Sequence, residues 1–392
     1  MRSSLTTPTV DWEGKGSHLL LNPNWPLKLR EQIAERSEEQ RRIWPELIWL
    51  ATSGTTRPSV YKLVGLSRQA FLVSAQAVNR HLEVQSKDLW LCPLPLFHVG
   101  GLSIFARSYL VSGVQAFLWP GPWETRGFVQ ALQDHRVSLT SLVPTQVYDL
   151  VKGGCQAPDS LRAVLVGGGA LGESLYKRAR ALGWPLLPSY GMTEAASQVA
   201  TAELSSLGIE RAQANSSLPV FKRLSHMEWE LTEQSVLKIK SSSLLTVQLE
   251  VDLASSLPPV AQDPKQNSWY QTEDQVKFWS QDRMSFVGRL KQTIKVSGEL
   301  VNLMRLNLCL EELLLEKESS LKSELAVVAR PCSRRGAELV LLSAQSVPSK
   351  FDQELFALFN SRVLPYERLS RVEKTDQVLR NPMGKIAVES GA

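Results

Sequence analysis

Residues 163–187 read AVLVGGGALGESLYKRARALGWPLL. The apolar run Ala163 to Val166 is short and bounded by turn residues, which suits a fully buried strand. Gly167-Gly168-Gly169 marks a tight turn, because glycine takes up left-handed backbone without steric cost. A helix is expected over about 172–182, then a second short strand at Leu186-Leu187. Strand, turn, helix and strand in that order are the unit of a parallel sheet with helical crossovers.

The alternation extends toward the N-terminus. Leu47 to Ala51 is a short apolar run entering a hydroxyl-rich loop, as a buried strand would. Ser67 is placed to cap a helix reaching about His81, and Asp88 to Cys92 is strand-like. Residues 125–135 read as helix, and Val137 to Leu142 is β-rich and stopped by Pro144. Between Leu89 and Trp123 the only formal charge is Arg107. Pro93, Pro95, His98, Gly100, Gly101 and Gly113 nevertheless break this stretch, so no apolar helix of about 20 residues survives to span a membrane. It reads instead as strand, loop, helix and strand in a soluble core.

From Met227 the pattern changes. MEWELTEQSVLKIKSSSLLTVQLEV alternates apolar and polar residues, as antiparallel strands with one wet face do. Residues 255–268, with three prolines, read as a loop. Beyond Arg289 the expectation is a hairpin, a Leu-rich helix over about 303–318, strands near 325–329 and 338–343, and a helix near 350–361. The fold class is therefore α/β. A large N-terminal domain (1–289) has mostly parallel sheets and a small antiparallel β subdomain at about 220–289. A small α+β C-terminal domain (290–392) follows.

Composition narrows the function classes. With 43% hydrophobic and 21% charged residues the 392-residue chain is ordinary globular protein, not a disordered or collagen-like one. The formal net charge of +5 has no Lys/Arg-rich block behind it, which argues against nucleic acid as partner. Cys92, Cys155, Cys309 and Cys332 are far apart, so neither a zinc site nor a disulfide framework is expected. A reducing cytoplasm is the default location, since no signal peptide opens the sequence.

Four segments carry candidate chemistry. Thr52-Ser53-Gly54-Thr55-Thr56-Arg57-Pro58-Ser59-Val60-Tyr61-Lys62 offers backbone N–H groups, hydroxyls and a cation to polyphosphate oxygens. It is not a Walker A loop, since GxxxxGK[ST] is absent, and it would also serve as a polar surface turn. Ser189-Tyr190-Gly191-Met192-Thr193-Glu194 follows a strand. Its aromatic ring can stack on a purine, and its Thr and Glu can hold a phosphate and Mg²⁺. The same residues would also make a strand-to-helix turn capped by Thr193. In Tyr270-Gln271-Thr272-Glu273-Asp274, Asp274 can accept both hydroxyls of a ribose, and Arg289 of the following Gly288-Arg289-Leu290-Lys291 can reach the same sugar. Asn381-Pro382-Met383-Gly384-Lys385 presents one lysine on a turn near the C-terminus.

Taken together and in this order, these segments resemble the adenylate-forming acyl-CoA synthetases from about residue 47 to 387. The resemblance implies that the TSGTT segment is a phosphate loop, YGMTE an adenine and Mg²⁺ motif, and YQTED a ribose motif. It further implies that GRLKQTIKVSGE is a hinge region and NPMGK a catalytic-lysine motif. Pro95-Leu-Phe-His-Val-Gly-Gly-Leu-Ser103, Ser141-Leu-Val-Pro-Thr-Gln146 and Tyr190-Gly-Met-Thr-Glu-Ala-Ala-Ser-Gln198 are similar to the o-succinylbenzoate–CoA ligases of menaquinone biosynthesis.

The implied reaction joins a carboxylic acid to ATP, giving acyl-AMP and diphosphate, and then transfers the acyl group to CoA. The implied cofactors and substrates are thus ATP, Mg²⁺, CoA and a small carboxylic acid. By the same resemblance, Lys385, His98 and Glu194 are catalytic, with Glu194 also the metal ligand. Thr52, Ser53, Gly54, Thr55, Thr56, Lys62, Tyr190, Gly191, Thr193, Asp274 and Arg289 hold the nucleotide. Lys291 is the hinge on which a mobile C-terminal domain turns, and His98, Gly168, Ser297 and Gly298 line the acyl and CoA sides. Several positions depart from the family pattern. Arg57 stands where a glycine is usual, Lys62 lies two positions late, Glu273 replaces a glycine, and the N-terminal part is short. A ligase for another acid, or a nucleotide-binding homologue without turnover, remains an alternative, and the oligomeric state is open.

Overall fold

The computed structural model describes residues 7, 10–52, 59–208, 218–290, 293–296, 299–317, 319, 321–332 and 336–380. The chain begins with β1 (His18–Leu20), α1 (Leu27–Ile43), β2 (Leu47–Thr52) and β3 (Val60–Ser67). β1 runs parallel to β2, and β2 pairs antiparallel with β3 with Thr52 opposite Lys62. The loop expected to hold phosphate therefore joins the two strands of a hairpin, and residues 60–67, unread in the sequence, are its second strand. α1 was also missed. Only Ile33 and Ser37 of its residues are buried, so its charged surface shows no apolar stripe.

The parallel part follows. α2 (Arg68–His81) starts where expected, the Ser67 hydroxyl accepting the Ala70 N–H at 3.0 Å. Then come β4 (Leu89–Cys92), α3 (Val99–Tyr109), β5 (Gln115–Leu118), α4 (Thr125–Asp134), β6 (Leu139–Leu142), α5 (Pro144–Lys152), β7 (Ala163–Val166), α6 (Glu173–Ala181) and β8 (Leu186–Met192). Strands β4 to β8 pair in parallel, in the order β8-β7-β6-β4-β5. Side chains alternate across the sheet. Trp90, Cys92, Ala163 and Leu165 pack with Phe71 of α2 and Ile104 of α3 on one face. Leu91, Val164 and Val166 pack with Phe128, Val147 and Leu175 of α4, α5 and α6 on the other.

Beyond β8 the same sheet turns antiparallel. β9 (Ser197–Thr201) returns against β8, so the Tyr190–Glu194 segment is a strand, a single 3-10 turn at Thr193–Ala195 and a strand. The alternative reading of these residues, a strand-to-helix turn capped by Thr193, does not form. β10 (Phe221–Arg223), β11 (Glu228–Leu231), β12 (Val236–Lys240), β13 (Val247–Asp252), β14 (Ala261–Gln262), β15 (Tyr270–Ser280) and β16 (Arg283–Arg289) complete this region. They divide between two sheets. One has eleven strands, ordered β11-β12-β15-β16-β10-β9-β8-β7-β6-β4-β5, and β13 and β14 join β1, β2 and β3 in a five-stranded sheet. The alternation at 227–251 correctly signals antiparallel strands, but period alone does not say which sheet each strand joins.

The last part follows the expected order as far as its second helix: β17 (Thr293–Val296), β18 (Glu299–Asn302), α7 (Leu303–Glu316), β19 (Leu325–Cys332), β20 (Gly336–Ala344) and α8 (Ser349–Arg362). After it β21 (Leu369–Thr375), a strand not read in the sequence, pairs in parallel with β20. Asn302 caps α7, and Leu306, Leu310, Leu313 and Leu314 enter a core of their own with Leu325, Leu341, Leu355 and Phe359. Leu315 instead reaches the core around α5 and α6. The Tyr148 hydroxyl of α5 donates to the Ser319 carbonyl at 2.6 Å, and Lys322 lies over the Tyr148 ring. Among the described residues no helix is long and apolar enough to cross a membrane.

Candidate active site

The site is built around the turn from β8 to β9. Gly191 is required there, since a Cβ would lie 2.0 Å from the Ser197 carbonyl oxygen. Ala196 and Ser197 adopt positive φ, 50° and 118°, which closes the turn and presents Glu194. The Glu194 carbonyl accepts the Leu245 N–H at 2.7 Å, and its carboxylate accepts Lys62 Nζ at 2.8 Å. Thr52, opposite Lys62 in the hairpin, donates its hydroxyl to the Lys62 carbonyl at 3.4 Å. Ser53, Gly54, Thr55, Thr56 and Arg57, between them, lie outside the described residues.

Beside this pair sits a second, more buried network. Asp274 of β15 faces Arg289 of β16 across the ladder. The Tyr190 hydroxyl donates to Asp274 Oδ2 at 2.7 Å, and Arg289 Nε donates to Oδ1 at 2.8 Å. The Thr272 hydroxyl accepts the Asp274 N–H at 3.1 Å and donates to the Leu237 carbonyl at 2.8 Å. Burial pushes the Tyr190 phenol well above its ordinary pKa and the Asp274 charge adds to this, so the phenol stays a donor. Burial opposes the Arg289 charge, but Asp274 outweighs it and holds the guanidinium pKa above its usual value. Burial also raises the Tyr270 phenol, with Glu194, Glu273 and Asp274 acting in the same direction. Tyr270 thus feels the charges of both networks.

The Tyr190 ring differs from the open stacking platform expected. It is 7% exposed and packs on Phe286, with centroids 5.9 Å apart and planes 30° from parallel. Phe286, Thr272 and Tyr270 are the neighbours that sequence reasoning passed over. The last two stand in the quoted YQTED segment and alternate with Asp274 along β15.

The remaining described candidates lie at the start of α3 and in the loop beyond β7. His98 is the N-cap of α3, its carbonyl accepts the Gly101 and Leu102 N–H groups at 3.1 Å, and its ring lies 4.6 Å from Phe97. Gly168, with φ +77°, forms the loop beyond β7. Further along α3, Arg107 is 1% exposed. Its Nη2 donates to Ser103 at 3.0 Å and to Ser197 at 3.4 Å, and its guanidinium lies 5.3 Å from the Trp90 ring centroid. Nε and Nη1 have no hydrogen-bond partner among the described residues. Burial pulls the Arg107 pKa down to about 9, so it remains charged at neutral pH, and burial pushes neighbouring Cys92 up to about 12. Arg107 was not among the expected site residues. Its signal in the sequence is its isolation as the one charge between Leu89 and Trp123. Lys291, Ser297, Gly298 and Lys385 lie outside the described residues.

Residues 19–235 match the family model described as "AMP-binding enzyme". The chain belongs to this family. Its curated relatives include the 2-succinylbenzoate–CoA ligase of Bacillus licheniformis, 27% identical over 252 residues, which cover 63% of this chain and 50% of the relative. The enzyme of the same name from Enterococcus faecalis is 26% identical over 349 residues, 86% of this chain and 67% of the relative. The chain therefore spans about half the length of the first of these. Among solved structures, o-succinylbenzoate CoA synthetase from Bacillus subtilis, in complex with its acyl-adenylate intermediate, superposes with a TM-score of 0.69. Identity is 22%, over 86% of this chain and 67% of that one. At that identity the likeness establishes the fold.

Proposed function

We propose that this chain is an ATP-dependent acid–thiol ligase that converts o-succinylbenzoate to its acyl-AMP and then to the CoA thioester. The observation that carries the reading is the pairing of Tyr190, Asp274 and Arg289 beside Lys62 and Glu194, at the joint of β8, β9, β15 and β16. A carboxylate has room to accept more than two hydrogen bonds, so Asp274 can keep Tyr190 and Arg289 while taking ribose hydroxyls. Thr52 and Lys62 then flank the β- and γ-phosphates, together with Ser53, Gly54, Thr55 and Thr56. Tyr190 and Gly191 border the adenine and Thr193 the phosphates.

Glu194 offers a hard cation one partly buried carboxylate, and one carboxylate plus substrate phosphates is the usual Mg²⁺ environment. When bound, Mg²⁺ neutralises phosphate charge during the attack on the α-phosphate. The chain's own task is to bring an anion to a polyanion. Lys385 performs it, lying between the attacking carboxylate and the α-phosphate where charge builds up in the transition state. His98 and Gly168 border the acyl group.

Arg107 supplies what a dicarboxylic substrate requires. A buried guanidinium with two unmade hydrogen bonds is unfavourable unless something completes it. The second carboxylate of o-succinylbenzoate has the charge and planar geometry to do so. The part from about residue 290 is the small domain that turns on Lys291 between half-reactions, carrying Lys385 away and Ser297 and Gly298 toward the pantetheine thiol. A cytoplasmic location follows from these substrates.

The two half-reactions separate the roles. Lys385→Ala is expected to abolish acyl-AMP formation, measured as diphosphate release, yet still convert supplied acyl-AMP to thioester. Equal loss of both activities would remove Lys385 from the first step.

A further inference from the structure

Lys62 and Glu194 come from different sheets. Lys62 lies on β3 of the five-stranded sheet and Glu194 in the turn between β8 and β9 of the eleven-stranded one. Their 2.8 Å ion pair ties the two together, with side chains only 19% and 15% exposed. The backbone fixes both ends. Lys62 stands in register between Thr52 and Glu250, and the Glu194 carbonyl is held by the Leu245 N–H. Neither residue sits on a loose surface arm.

A carboxylate in this state is a poor metal ligand. Its charge is already neutralised, and an arriving dication would meet an ammonium at contact distance in a half-buried setting. A polyphosphate alters both terms. It gives the ammonium a more highly charged partner, and it adds phosphate oxygens to the single carboxylate that a small hard cation would otherwise find.

We propose that Lys62 closes Glu194 to divalent metal until a polyphosphate draws the ammonium away, so that the metal enters this site only with the nucleotide. The proposal rests on the reading of Glu194 as the metal-holding residue. The position of Lys62, on the strand beyond the loop rather than in it, is what brings its ammonium to Glu194. Lys62 is thus a positioning residue with two successive partners, the carboxylate in the empty site and the phosphates in the loaded one.

Mn²⁺, titrated against the full chain and read by the electron spin resonance signal of the free ion, tests this without turnover. Without nucleotide, Lys62→Met is expected to bind Mn²⁺ at least tenfold more tightly than wild type, while Lys62→Arg stays weak because it keeps the cation. Adding a non-hydrolysable ATP analogue should bring wild type to tight Mn²⁺ binding. Equal Mn²⁺ affinity of wild type and Lys62→Met without nucleotide would overturn the proposal, provided thermal melts show both folded. Lys62→Gln serves as the substitute should Lys62→Met not fold. The double variant Lys62→Met/Glu194→Gln separates the two ideas. Loss of the tight site supports both, whereas its survival overturns the assignment of Glu194 as metal ligand and the proposal with it.

Discussion

The two buried polar centres, around Asp274 and around Arg107, are built in opposite ways. At Asp274 both carboxylate oxygens are engaged, by Tyr190 and Arg289, and the backbone N–H is held by Thr272. At Arg107 one nitrogen is engaged by two serine hydroxyls, while Nε and Nη1 lack partners among the described residues. A satisfied network fixes geometry before any ligand arrives, which suits the nucleotide site proposed for it. An incomplete one leaves a requirement that only a matching ligand meets, which suits discrimination between acids.

Substitutions can break this contrast. Asp274→Ala should have the largest effect, because it removes the acceptor shared by Tyr190 and Arg289. The ATP requirement is expected to rise about a hundredfold, on the order of 3 kcal/mol, with the apparent affinity for the acid unchanged. Steady-state kinetics with each substrate varied in turn would show it. Arg107→Met should raise the KM for o-succinylbenzoate by about 10–30-fold and leave that for ATP alone. Because it replaces an unsatisfied buried charge with an apolar chain, thermal stability should hold or improve by about 1–2 kcal/mol. A large loss of stability would mean that the guanidinium is completed within the fold.

Tyr190→Phe sharpens the first centre. It keeps the ring on Phe286 and deletes one hydrogen bond, so the ATP requirement should rise about tenfold with little change in kcat. A loss as large as that of Asp274→Ala would point to the phenol rather than the carboxylate as the nucleotide contact.

His226 gives the smallest effect and serves as a control that belongs to neither centre. Both ring nitrogens are buried without a hydrogen-bond partner among the described residues, and burial lowers its pKa from 6.5 to about 4. The unfolded chain takes up this proton near the ordinary value and the folded one only near 4. Stability is therefore full above about pH 6.5 and falls as the pH drops toward 4. The loss between pH 7 and 5.5 should be about 1 kcal/mol, and His226→Leu should flatten that part of a denaturant-midpoint profile. An unchanged slope would mean that this imidazole does not titrate with folding.

Much of the chain was legible as sequence because it obeys local rules. Ser67 caps its helix, Ala163–Val166 is a buried strand, and the Leu-rich helix expected at about 303–318 forms as α7. Failures came where a distant partner decides. Val60 to Ser67 is a strand because β2 and β13 flank it, and Tyr190 to Met192 continues β8 because β9 returns along it. Asp274 and Arg289 were readable as a pair, but the phenol of Tyr190 between them belongs to tertiary structure. Arg107 was visible as a lone charge and silent about its purpose, since burial and missing partners are not written in a sequence.

The most direct test is diphosphate release from MgATP with o-succinylbenzoate, benzoate or a long-chain fatty acid, each with and without CoA. The expected result is release with o-succinylbenzoate well above the other two acids, and thioester formation only when CoA is present. Release with none of the acids, while ATP is measurably bound, would contradict the ligase reading and leave a nucleotide-binding protein in its place.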